Sequence, residues 1–119
     1  MGKAKAQGTR WETALVTAAR AFGIEGRRLA EGGINDPGDI QLEPSNGDIW
    51  IIEAKHRANL NTHQALSAAK KKAPAYALVA VAWKKTVRKS NNQKRSADGE
   101  PSVIVLDLPT FLTLIGDNE

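Results

Sequence analysis

The chain moves between two hydrophobic rhythms. From Thr9 onward the apolar residues Trp11, Leu15, Ala18 and Phe22 recur at the spacing of one helix face. Thr9 and Glu12 have the separation of a capping box, which predicts a helix starting there and stopping at Gly23. Residues 1–8 are small, polar and basic and are expected to form a flexible arm ahead of a single domain at 9–119.

Downstream the rhythm shortens to two. Residues 26–31 (GRRLAE) form a short strand candidate, followed by turn-forming EGGINDPGD. Residues 39–43 (DIQLE) alternate, PSNG at 44–47 is a hairpin turn, and 48–55 (DIWIIEAK) is a strand rich in Ile and Trp. Residues 61–73 read as a helix, with Asn61 as cap and three lysines at its negative end, and Pro74 ends it. Residues 75–83 (AYALVAVAW) carry no charge and predict a buried strand. A basic loop at 84–95, a strand at 102–108 and a helix at 109–115 complete the chain. The predicted order, α-β-β-β-α-β-β-α, is an α/β domain with a mixed central sheet flanked by helices.

The strand at 48–55 carries the candidate chemistry. Side chains alternate faces, so Glu53 and Lys55 point the same way as Ile49 and Ile51, and Trp50, Ile52 and Ala54 the other way. The hairpin can bring Asp39 beside Glu53. Two adjacent carboxylates repel, and a divalent cation relieves that repulsion. Mg²⁺ prefers carboxylate oxygens and keeps several waters, so two acids and a backbone carbonyl suit it, with Mn²⁺ able to substitute. Such a site suits phosphodiester hydrolysis, with Lys55 orienting the attacking water or facing developing negative charge.

Composition narrows the field. The chain has 119 residues, 41% hydrophobic and 5% aromatic, which suits one domain built on Ala, Val, Ile and Leu. Its three tryptophans are expected in the core. The absence of cysteine excludes a disulfide scaffold, a thiolate zinc site and a cysteine nucleophile. A G-x-x-x-x-G-K phosphate loop is missing, which argues against an NTPase. No apolar run reaches the roughly 18 residues of a membrane helix, and the basic start lacks a signal peptide's apolar stretch. A cytoplasmic protein with no membrane partner is expected.

Seventeen Lys and Arg against thirteen Asp and Glu give +4 and a pI near 9.6. The positive charge is clustered. Lys84, Lys85, Arg88, Lys89, Lys94 and Arg95 fall in one segment without an acid. Lys70–Lys72 and the group Lys3, Lys5 and Arg10 form two more clusters. Such patches suit a polyanion such as nucleic acid, where phosphate contacts release counterions, with a solvated surface as the alternative. His56 and Arg57, beside Lys55, are candidate phosphate contacts.

PGDIQL followed by IWIIEAK resembles the PD-(D/E)XK nuclease superfamily, and within it the small archaeal-type Holliday junction resolvases and their phage relatives. The likeness spans residues 8 to about 84. Asp39 matches the acid of the first motif, and Glu53, Ala54 and Lys55 match E-x-K. Gly8, Arg10 and Glu12 in GTRWE match the family's N-terminal helix. The resemblance implies a restriction-endonuclease-like fold and a Mg²⁺-dependent, structure-selective DNA endonuclease that resolves four-way junctions in recombination and repair. It also implies Glu12 as a further metal ligand, with capping as its alternative. Gln64, early in the second helix, would reach a phosphate or the attacking water; its alternative is also capping. The family's proline usually precedes the acid directly. Here Gly38 intervenes, so Asp36 competes with Asp39.

Paired cuts on a junction call for a symmetric homodimer, which the resemblance also implies. The apolar segment 102–115 offers either that interface or a closing piece of the monomer core. Two rivals remain: a restriction-like or other DNA nuclease of the same superfamily, and a basic nucleic-acid-binding protein without catalysis. A mere binder gains nothing from two acids beside a phosphate track.

Overall fold

A computed structural model describes residues 3–29, 36–86 and 101–116. The elements are α1 (Lys3–Ala21), β1 (Glu25–Arg28), β2 (Ile40–Glu43), β3 (Trp50–Arg57), α2 (Thr62–Lys72), β4 (Leu78–Lys85), β5 (Val103–Val105) and α3 (Leu108–Ile115). Their order is the one predicted. The five strands form one open sheet in sequence order, antiparallel except for the β3–β4 pair. That pair is parallel because α2 carries the chain back across the sheet.

Alternation along β3 divides the core between two faces. On one, Ile52 packs with Ile40, Ala80 and Ala82 beneath Trp11 and Val16 of α1. The Trp11 indole N–H donates to the Ala82 carbonyl at 3.1 Å, so its polar atom is satisfied inside an apolar cluster. On the other, Ala65, Leu66 and Ala69 of α2 cover Val79 and Val81. The alanines of α2 allow it a close approach to the sheet.

Several expected boundaries are corrected. Helix α1 starts at Lys3, so residues 3–8 of the expected arm are helical and Thr9 lies well inside the helix, where it cannot cap. The Lys-Ala-Lys-Ala-Gln run has high helix propensity, and the Gln7 amide lies 3.1 Å from His56 Nε2 and 3.4 Å from Thr86 Oγ1. The buried stripe is Trp11, Val16 and Ala19 with Leu15, while Ala18 is exposed and Phe22 is 85% exposed. Periodicity gave the spacing but left its phase one position ambiguous. Gly23 ends the helix as expected, at φ +79°.

Strand β1 is shorter than its candidate and starts one residue earlier. β3 and β4 start later than predicted and run two residues past Lys55 and Trp83, because their ladder continues through polar residues. Lys84 and Lys85 therefore belong to a strand, while Arg88, Lys89, Lys94 and Arg95 lie outside the described residues. β5 contracts to three residues, and Asp107 caps α3 by accepting the Thr110 N–H at 2.9 Å. Helix α3 has no buried residue; Phe111, Leu112, Leu114 and Ile115 are 44–65% exposed. Within the segment, Val105 and Leu106 pack against the core clusters, whereas α3 leaves its apolar residues exposed. No helix among the described residues is long and apolar enough to cross a membrane.

Candidate active site

The β2–β3 register pairs Ile40 with Ile52, and one step further it sets Asp39 opposite Glu53. Asp39 is pinned there. Its backbone N–H donates to the Ile52 carbonyl at 3.3 Å, and its Oδ2 accepts the Ala54 N–H at 2.8 Å. Asp36 instead accepts the Gly38 N–H at 3.0 Å and folds onto its own loop, so Asp39 is the acid that faces Glu53.

The intervening glycine has a steric reason. Gly38 has φ +148°, and a Cβ there would sit 2.4 Å from Ile51 Cγ2 and 3.5 Å from Glu53 Oε2. Only glycine allows the chain this close to the floor of the site.

Glu53 is the buried charged residue among those described, at 7% exposure. Its Oε1 accepts the Lys72 amine at 3.0 Å and lies 3.9 Å from the Lys55 amine. Its Oε2 is buried without a hydrogen-bond partner. Burial raises the Glu53 carboxyl above the usual carboxylate range, the charge of Asp39 raises it further, and Lys72 and Lys55 oppose both. Burial also works against the charged Lys72 amine. The hydrogen bond to Glu53 and the charges of Glu53, Asp36 and Asp39 outweigh it and raise the amine's pKa.

Glu53, Lys55, Arg57, Gln64 and Lys72 line a groove of about 440 Å³ between β3 and α2. The Gln64 backbone N–H donates to the Asn61 cap at 3.1 Å, and its exposed side chain borders the groove. Lys72 was missed, because the lysine run reads as helix-end charge. The signal was present, since Lys72 continues the inward row of Ala65 and Ala69.

Glu12 is not gathered with the acid pair. It pairs with Arg28 of β1, Nε to Oε1 at 3.0 Å. Among the described residues no three His, Asp or Glu side chains converge as a metal cluster. His56 turns to the α1 face. There its Nε2 meets Gln7, and burial first, then the Lys84 and Arg10 charges, lower its pKa. Its Nδ1 is buried and unpartnered.

The parallel register ends β3 and β4 at the same end of the sheet, with His56 opposite Lys84 and Arg57 opposite Lys85. The Lys84 amine lies 5.7 Å from the Trp11 ring centroid, and Arg10 is exposed nearby on α1. Lys55, Arg57 and Lys85 thus extend along the α2 face that carries the acid pair, while Lys84 and Arg10 lie on the α1 face with His56. No family model matches the chain, and no curated protein matches it.

Proposed function

We propose that the chain is a divalent-metal-dependent DNA endonuclease with a restriction-endonuclease-like domain, acting in the cytoplasm on branched DNA such as four-way junctions, as a homodimer. The observation that carries this reading is the Asp39–Glu53 pair, held opposite across two strands with Lys55 on the same face and Arg57 and Lys85 beyond it. Carboxylates placed together on a surface otherwise suited to phosphates need a cation.

The donor set fits such an ion. Glu53 Oε2 is buried and unpartnered, and Asp39 supplies the facing carboxylate. When bound, Mg²⁺ or Mn²⁺ would stabilise charge on the phosphate and lower the pKa of a coordinated water. Lys55 extends from the same face and would place positive charge beside the scissile phosphate. Arg57 and Lys85 would hold the backbone on that face, and Lys84 and Arg10 would meet it where it passes round the strand ends.

The exposed apolar surface of α3 supports the homodimer. Phe111, Leu112, Leu114 and Ile115 are exposed, and Leu114 lines an apolar groove with Leu42, Trp50 and Ile104. The test incubates the protein with a four-way junction, linear duplex and single strand, with and without Mg²⁺. Cleavage that needs metal, favours the junction and is lost in Asp39→Asn and Glu53→Gln with binding retained supports the reading. Cleavage undiminished in EDTA or in either variant overturns it.

A further inference from the structure

We infer that Lys72, on helix α2, is the positioning residue of the site: its amine holds Glu53 by Oε1 and competes with a divalent cation for that carboxylate. The inference rests on the proposed metal site. Of the two amines facing Glu53, Lys72 is at hydrogen-bond distance, 3.0 Å, whereas Lys55 of the E-x-K sequence stands off at 3.9 Å. A direct charged hydrogen bond fixes a side chain, and an ion pair at the longer distance does so weakly.

The two amines also differ in mounting. Lys55 shares its strand with Glu53, so its distance follows local β geometry. Lys72 comes from the last turn of α2, packed by Ala65, Leu66 and Ala69. Glu53 thereby links the sheet to the helix over it. Because Lys72 occupies Oε1, Oε2 alone is left without a partner. A cation engaging both oxygens has to displace Lys72, and one engaging Oε2 alone sits beside a fixed positive charge. Either way the amine weakens cation binding while keeping the carboxylate oriented.

The expected result of removing it is a tighter site. Calorimetric titration with Mn²⁺ at pH 8, without DNA, should show Lys72→Met binding about three- to tenfold more tightly than wild type, the scale of a half-exposed charged hydrogen bond. Lys72→Arg, which keeps the charge and the donor, should restore the wild-type affinity. Lys71→Met is the control: it removes an equal charge one residue away, from a side chain that is not the hydrogen-bond donor to Glu53. Equal effects of Lys71→Met and Lys72→Met overturn the specific role, as does an affinity unchanged or weakened in Lys72→Met while wild type binds. If neither wild type nor Lys72→Met binds Mn²⁺, the metal site itself fails, and the inference fails with it. Binding by the wild type with no change on substitution is the distinct signature of a wrong role for Lys72 alone.

Discussion

Gly38 lies against Ile51 so closely that a Cβ would approach its Cγ2 to 2.4 Å. The contact sits one residue before Asp39 and beneath Glu53, so the backbone that carries one acid rests on the strand that carries the other. Gly38→Ala should lower stability by about 1–3 kcal/mol, from overpacking and an unfavourable φ. Chemical denaturation reads the loss. A variant as stable as wild type would show that the loop yields freely.

Glu53 makes stability depend on pH in a defined direction. Its folded-state pKa is raised, first by burial and then by Asp39, so folding shifts its titration towards the protonated form. The stability it contributes is present below the unfolded value of 4.5 and is lost as pH rises through the folded value. In the absence of metal, Glu53→Gln, which resembles the protonated form, should melt higher than wild type at pH 8. The difference should shrink towards pH 4. Thermal melts across that range test it, and a variant less stable at pH 8 would mean that the Lys72 bond outweighs burial.

Lys84 and Lys85 should contact DNA phosphates without reading bases. Neutralising both should weaken binding to all sequences alike and lower the slope of log affinity against log salt by up to about 2. Titrations at several salt concentrations measure the slope. No change in it would assign the pair to solvated surface.

Helix α3 should hold a second copy. The patch of Phe111, Leu112, Leu114 and Ile115 is 44–65% exposed, and a stable dimer buries on the order of 800 Å² per partner, much of it apolar at its centre. Changing Phe111 and Leu112 to polar residues should convert a dimer to a monomer in light scattering and turn paired junction cuts into single nicks. A wild-type protein that is monomeric at micromolar concentration, free and on a junction, contradicts this.

Asp107 ties α3 to α2. It caps α3 through the Thr110 N–H and pairs with Lys70. The Lys70 hydrogen bond, then the Thr110 bonds, lower its pKa from 3.8 to about 2. Stability from this carboxylate is present above 3.8 and lost as pH falls towards 2. Asp107→Ala should cost about 1 kcal/mol at neutral pH, as loss of a helix cap does. Denaturation at pH 7 and pH 2.5 should show the difference narrowing in acid.

The sequence by itself determined the order of elements, the hairpin at PSNG, the Asn61 cap, and the common face of Glu53 and Lys55. These follow from local chemistry: period-two alternation, turn residues, and a side chain that caps its own helix. It did not determine where α1 begins or which way Phe22 points. Helix phase depends on what lies beneath it, and Thr9 with Glu12 imitates a cap inside a longer helix.

The tertiary structure decided the rest of the candidate site. It set Asp39 rather than Asp36 opposite Glu53, joined Glu12 to Arg28, and turned His56 towards α1. It also brought Lys72 onto Glu53 across 19 residues. Those relations rest on strand register and on the helix packed over the sheet. Both are set by burying Ile40, Ile52 and Val81 at long range, so no local pattern records them.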